Sequence, residues 1–242
     1  MVTEMENAEV EKQIEDIKKF LNVKERYNQK SFPPPCFIEL TGPPLSGKTT
    51  TIGHLYDFLR ARGFEVFKPQ EGAEVIPARL RNSPIFNIRT ANYALGILME
   101  QMSDHRYDFV IFDRCIFDAY HWMRHWFEKG ELSEEEMKFH QNHYLHKSSN
   151  IGLAYIMVCD PEVARGRKKK RALSENPGKT TSSKSQREIT ERFVSVYEEL
   201  SPKHNQLHLI DTTTQNIDEV CAIVERETLE TFAKIARQAR AA

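Results

Sequence analysis

Apolar and polar positions follow two rhythms along the chain. Val10, Ile14, Ile17 and Leu21 fall at i, i+4, i+7 and i+11, which is one face of a helix over residues 1–24. Pro33, Pro34 and Pro35 then stop any helix, since proline lacks the N–H and its ring clashes with the turn before it. From Cys36 the pattern changes to short runs of strand length: FIEL (37–40), FEVF (64–67), FVIF (109–112), LAYIMV (153–158) and LHLI (207–210). FVIF and LAYIMV are continuously apolar, as strands buried on both faces are.

Helical stripes fill the gaps. Ile52, Leu55 and Leu59 lead to Gly63. Ala91, Ala94, Leu95, Leu98, Met99 and Met102 form a second stripe, and residues 118–129 and 134–146 read as two further helices. Asp160-Pro161 is a helix start, with Asp as cap and Pro at the first helical position. Ile189, Phe193, Val196, Tyr197 and Leu200 make another stripe, and 216–239 is a long charged amphipathic helix. Residues 70–84 read as a loop with room for a short helix, and the Ser/Thr/Gly/Pro-rich stretch 174–186 reads as loop. Strands alternating with helices imply right-handed crossovers and a parallel sheet covered on both faces. Ligands of such sheets sit at the carboxyl ends of the strands.

Composition narrows the function classes. The chain has 242 residues with a net charge of −1, so it is not a polycation built to coat nucleic acid. A chain of this size buries roughly 70–75% of its unfolded surface and needs no staple. Cys36, Cys115, Cys159 and Cys221 are far apart and show no CxxC spacing, which argues against a zinc site and a disulfide framework. No apolar run approaches the roughly 20 residues of a membrane span. The start, MVTEMENAEVEKQ, is acidic and polar, unlike a secretory signal, so the expected location is the cytoplasm. Residues 1–35 are read as an appended helix and linker, packed on the core or on a partner, and 36–242 as the main domain.

The strongest chemical signal is Gly42-Pro43-Pro44-Leu45-Ser46-Gly47-Lys48-Thr49, which fits GxxxxGK[ST] between a strand and a helix. Such a loop turns backbone N–H groups toward a phosphate, and the helix adds its positive end. Lys48 then reaches the β- and γ-phosphates of ATP, and Thr49 holds Mg²⁺. With this motif the expected fold is α/β, a three-layer P-loop NTPase with a five-stranded parallel sheet in order 2-3-1-4-5 and a helical lid at about 161–188.

Four other segments carry candidate chemistry. Asp113-Arg114 directly follows FVIF, where a carboxylate orients Mg²⁺ and an arginine binds an acceptor phosphate or the phosphoryl group in transit. Glu71 follows the second strand beside the phosphate loop, placed to accept a proton from an acceptor hydroxyl or to help hold Mg²⁺. Arg165, Arg167, Lys168, Lys169, Lys170 and Arg171 form a basic run ahead of the 174–186 loop. As a mobile lid it would neutralise the phosphoryl group and exclude water; a solvated helix face or a nucleic-acid patch are the competing readings. Thr212 to Gln215 follow the last strand, either near the nucleotide base or as a side-chain turn that starts the next helix.

Weaker signals come from Arg79, Arg89, Asn92, Tyr93, Phe117, Tyr120 and Trp122, which would line an acceptor pocket, with core packing as the competing reading for the aromatics. His121, His125, His140, His143 and His146 lack a carboxylate partner motif and read as packed or surface residues rather than metal ligands.

At these residues the chain resembles the thymidylate kinase and deoxynucleoside kinase group of P-loop kinases. The phosphate loop, PQEGAEVIPARLR, VIFDRCIFDAYHW, YIMVCDPEVARGRKKKR and HLIDTTTQNIDEV occur in the family's order, over roughly residues 36–228. The resemblance implies ATP-phosphate binding by Gly42 to Thr50 and an acidic role near the acceptor or Mg²⁺ for Glu71. It implies the acidic-Arg pair for Asp113 and Arg114, lid arginines at Arg165, Arg167 and Arg171, and an adenine-side loop at Thr212–Gln215. Three features depart from it, one being the Arg-containing base-reading helix, which has only a loose counterpart in Arg89–Tyr93. Pro44 stands where thymidylate kinases carry an acidic residue, and Cys115 where Tyr or Ser usually follows the Arg.

The resulting expectation is γ-phosphoryl transfer from Mg·ATP to a small acceptor, a nucleoside or nucleoside monophosphate. A nucleic-acid 5′ end, a vitamin nucleoside or another metabolite is the alternative acceptor. A nucleotide-dependent switch is the rival class, although the Asn-Lys-x-Asp segment of GTPases is absent. A homodimer is compatible with the chain, and no membrane partner is expected.

Overall fold

The computed structural model describes residues 2–21, 35–104, 106–171 and 183–241; the side chains of 2–6, 168–171, 183 and 240–241 lie outside that description. Five strands form one sheet in the order β2-β3-β1-β4-β5, every neighbouring pair parallel. They are β1 (Cys36–Thr41), β2 (Val66–Phe67), β3 (Phe109–Asp113), β4 (Ile151–Val158) and β5 (Leu207–Asp211). This is the expected sheet, although only the last two residues of FEVF pair as strand.

Every residue of β1 is buried, because helices cover both faces of the sheet. One face packs under α4 (Pro84–Gln101), α5 (Ile116–Glu128) and α8 (Ser183–Leu200), with Phe112, Ala154, Leu98, Phe117 and Phe193 in its core. The other packs under α2 (Lys48–Ala61) and α9 (Ile217–Ala241), with Ile38, Leu55, Tyr155, Val224 and Phe232. The N-terminal stripe belongs to this second core. In α1 (Val2–Phe20), Ile14 and Ile17 are buried, as is Leu21 just beyond it, and Arg237 of α9 pairs with Asp16 at 3.4 Å. No helix among the described residues is long and apolar enough to cross a membrane.

Helix boundaries show what local chemistry fixes. The loop at 70–84 contains α3 (Gly72–Val75) and a 3-10 turn at Ala78–Leu80. Helix α4 begins at Pro84, seven residues before the first stripe residue, with Ser83 extended ahead of it. Helix α6 (Glu134–Leu145) starts with a capping box between Ser133 and Glu136. Helix α7 (Pro161–Arg171) starts as read from the sequence: Asp160 Oδ1 accepts from Glu162 N–H at 2.8 Å and Val163 N–H at 3.1 Å. Between α7 and α8, the greater part of the 174–186 stretch lies outside the described residues.

Candidate functional site

The phosphate loop runs from the carboxyl end of β1 to the first turn of α2. Gly42 has φ +138°, and a Cβ there would sit 2.0 Å from Met157 O on β4, so only glycine fits. Gly47 has φ +101° and precedes Lys48, the first residue of α2. Lys48 is buried, and its Nζ donates to Gly42 O at 3.0 Å and Pro43 O at 2.8 Å. Burial, helped by the nearby charge of Arg114, pulls its pKa down to about 7, against the opposing charges of Asp113, Asp118 and Glu71.

Thr49 Oγ1 donates to Asp113 Oδ2 at 3.2 Å. The other oxygen, Asp113 Oδ1, is buried and has no hydrogen-bond partner among the described residues. An orphaned carboxylate oxygen beside a threonine hydroxyl is a hard-oxygen donor set, and it fits Mg²⁺.

Arg114 lies beside the phosphate loop, between two carboxylates. Its backbone has φ +73°, a conformation that costs a non-glycine residue energy and is held here by what surrounds it. Nε pairs with Glu71 Oε1 at 2.9 Å and Nη1 with Asp118 Oδ1 at 2.9 Å. Asp118 Oδ1 also accepts from Thr41 Oγ1 at 2.7 Å, which ties this cluster to the residue before Gly42. Burial pushes the Glu71 carboxyl above its usual range, while the charge of Arg114 opposes the shift.

Beneath this cluster lies a group that the sequence reading passed over as part of an apolar run. Glu39 is in the middle of β1 with no exposed surface. Its Oε1 accepts from the N–H groups of Cys115 at 2.8 Å and Asp118 at 3.0 Å, and its Oε2 from Ile116 at 2.9 Å and Phe117 at 3.1 Å. These are orphan N–H groups at the start of α5, where no side chain of the helix supplies a cap. The sequence signal was a lone carboxylate inside a buried strand, which requires a partner.

A cleft of about 690 Å³ opens from Pro44, Glu71, Arg114 and Asp118 between α4, α5 and α8. Its wall includes Phe86, Asn87, Thr90, Trp122, His125 and Trp126. Trp126 Nε1 donates to Asn87 Oδ1 at 2.9 Å, which fixes the carboxamide and leaves its NH₂ as the available donor. Burial drives the His125 pKa down to about 3, so its ring is neutral.

Of the acceptor residues read from sequence, Glu71 and Arg114 line the cleft, and most of the others occupy other places. Arg79, Arg89 and Asn92 are exposed, Tyr93 is half-buried, and none of the four lines the cleft. Helical phase explains this: α4 starts at Pro84 and presents Phe86, Asn87, Thr90, Ala91 and Ala94 to the cleft. Phe117 is core, and Tyr120 is buried with its hydroxyl on Glu199 at 2.6 Å. Trp122 does line the cleft. His121 is wholly buried, stacked on Phe193 with ring centroids 3.6 Å apart. No group of three or more metal-ligating side chains occurs among the described residues.

On the donor side, Arg167 reaches the phosphate loop. It donates to Leu45 O at 3.5 Å, Thr212 Oγ1 at 3.0 Å and Thr212 O at 2.6 Å. Thr212 Oγ1 itself donates to Ser46 O at 3.0 Å. Gln215 Oε1 is buried without a partner among the described residues. Arg165 pairs with Glu162 at 3.0 Å on an exposed face. The side chain of Arg171, like those of Lys168, Lys169 and Lys170, lies outside the described residues.

Comparison with known proteins supports the architecture. A family model described as an AAA domain matches residues 37–203. The structure of deoxyadenosine kinase from M. mycoides with bound dCTP superposes with a TM-score of 0.53 at 16% identity, covering 79% of this chain and 98% of that one. The same kinase with products dCMP and a flexible dCDP bound gives a TM-score of 0.53 at 16% identity, over 79% of this chain and 97% of that one. At this identity the likeness is one of fold. No curated protein matches the chain.

Proposed function

We propose that this chain, which belongs to the AAA-domain family, transfers the γ-phosphoryl group of Mg·ATP to a hydroxyl of a small acceptor, a nucleoside. The observation that carries this reading is the Glu71–Arg114–Asp118 cluster at the junction of the phosphate loop and the cleft. Arg114 is already paired with two carboxylates, and Asp113 adds a third acid beside Lys48. Among the described residues, the remaining cations of the lining, Arg81 and Lys129, are both exposed. An acceptor carrying its own phosphate would add negative charge to a cluster where two carboxylates already share one guanidinium, whereas a hydroxyl would meet a base. This favours a nucleoside over the nucleoside monophosphate that the sequence also allowed.

The roles follow from position. Gly42 to Thr50 cradle the triphosphate, and Lys48 leaves its carbonyl partners to neutralise charge on the transferred group. Thr49 and Asp113 are the residues that would hold Mg²⁺, which when bound supplies charge neutralisation between the phosphates. Glu71, raised in pKa by burial, takes the acceptor proton, and Arg114 orients Glu71 and faces the phosphoryl group. Arg167, Thr212 and Gln215 form the donor-side wall. Phe86, Trp122 and Trp126 give the cleft flat apolar walls suited to a base, with the Asn87 NH₂ as a donor to its edge. The deoxyadenosine kinase of like fold carries deoxycytidine nucleotides in its structures, which is consistent with this class of acceptor. ATP consumption measured with nucleosides and with their monophosphates tests the assignment; stimulation by monophosphates alone would reject it.

A further inference from the structure

The carboxylate of Glu39 has no contact with the cleft, yet every residue of the acceptor cluster connects to it. It accepts the N–H of four successive residues, 115 to 118, between 2.8 and 3.1 Å. Two positions along β1, on the same face of the sheet, Thr41 holds the side chain of Asp118 at 2.7 Å. Asp118 is therefore pinned twice from β1, by its backbone and by its carboxylate. From Asp118 the chain of contacts continues to Arg114 at 2.9 Å and on to Glu71 at 2.9 Å.

Arg114 needs that support. Its φ of +73° lies where only glycine sits without cost, and it immediately precedes the four residues whose N–H groups Glu39 collects. A residue without a side-chain oxygen at position 39 would leave those N–H groups without their acceptor, and the start of α5 would be free to shift relative to β1. A shift of about 1 Å at such a site costs catalysis heavily. An apolar residue at position 39 would satisfy the strand and its core equally well, so the carboxylate is unexplained by packing alone.

We propose that Glu39 is a positioning residue: by gathering the N–H groups of residues 115–118 it fixes Asp118 and Arg114, and through them aligns Glu71 with the transferring phosphoryl group. The proposal rests on the phosphoryl-transfer reading of the site. The nucleotide side, Lys48, Thr49 and Asp113, is built on α2 and β3 and does not depend on this contact.

The test is Glu39→Gln, which keeps the shape and removes one of the two accepting oxygens. Expected are a crystal structure in which Arg114 has moved off Glu71, a fall in kcat of at least tenfold, and a KM for ATP within about twofold of wild type. Asp118→Asn should show a similar fall, and the double variant little more than either single change, because both act on one chain of contacts. Arg114 contacts retained in the Glu39→Gln structure, or additive losses in the double variant, would overturn the proposal. Should Glu39→Gln not fold, Glu39→Asp keeps the charge and draws both oxygens back by one methylene from the four N–H groups; unchanged Arg114 geometry there would equally overturn it. If the wild type shows no acceptor-stimulated turnover, the phosphoryl-transfer reading fails by itself, and the positioning claim is still decided by where Arg114 sits in the variant structure.

Discussion

Arg114 Nε meets Glu71 Oε1 at 2.9 Å, a contact between the residue that follows β3 and the loop that follows β2. The pair brings a carboxylate from one crossover and a strained arginine from the next to the same point beside the phosphate loop. In a parallel sheet ordered 2-3-1-4-5, β2 and β3 are adjacent, so their carboxyl-end loops meet without any long excursion of the chain.

Glu71→Gln should therefore separate chemistry from binding. Removing the proton acceptor lowers kcat by roughly 10²–10⁴-fold, the usual contribution of a general base. The KM for ATP should stay within a few-fold, since Glu71 lies on the acceptor side. Steady-state kinetics in both substrates read this directly. Wild-type kcat in the variant would remove Glu71 from the mechanism.

Lys48 makes nucleotide binding pH-dependent. Its pKa in the free protein is about 7, lowered by burial and by Arg114, so above that pH the amine is neutral. A bound triphosphate favours the charged form, and binding at pH 8 must take up a proton. Affinity should then fall as pH rises above about 7, by up to about tenfold per unit. Calorimetry in buffers of different ionisation enthalpy measures the proton uptake, and Lys48→Arg, charged throughout, should abolish it.

Gly42→Ala places a Cβ against Met157 O, at a distance of 2.0 Å in the present backbone. The carbonyl belongs to a central strand and cannot yield cheaply. The loop must distort, so ATP binding should weaken by at least tenfold even where the protein still folds. Titration with a non-hydrolysable ATP analogue checks this, and unchanged affinity would show that the loop has slack the packing does not reveal.

Glu39 gives stability a pH dependence of definite sign. Burial raises its pKa from 4.5 to about 7, against the lowering pull of its backbone hydrogen bonds. The folded state therefore holds this proton more tightly than the unfolded chain. The stability it contributes is present below about pH 4.5 and is lost as pH rises through about 7. Thermal unfolding across that window should show wild type losing more Tm than Glu39→Gln; parallel curves would contradict the shift.

The donor half of this site was legible in the sequence because its chemistry is local. The phosphate loop is a contiguous motif, Asp113 directly ends an apolar run, and Asp160-Pro161 writes its own helix start. On the acceptor side Glu71 and Arg114 were legible, because each lies just past a strand; the cleft wall was not, because it depends on helical phase and on contacts across the sheet. Arg89, Asn92 and Tyr93 drew weight for their polar and aromatic chemistry, while Phe86, Asn87 and Thr90, in the first two turns of α4, form the wall. Phe117 and Tyr120 carried aromatic chemistry that the core absorbed. Glu39 looked like one polar letter in a strand, and its partners are 76 to 79 residues away along the chain.

The most direct measurement is ATP consumption by the full chain with nucleosides, nucleoside monophosphates and 5′-hydroxyl oligonucleotides, with Lys48→Ala as the blank. A hydroxyl acceptor facing Glu71 predicts that at least one nucleoside raises turnover tenfold or more above the blank, and that its monophosphate does not. Turnover stimulated only by monophosphates or oligonucleotides, or undiminished in Lys48→Ala, would contradict it.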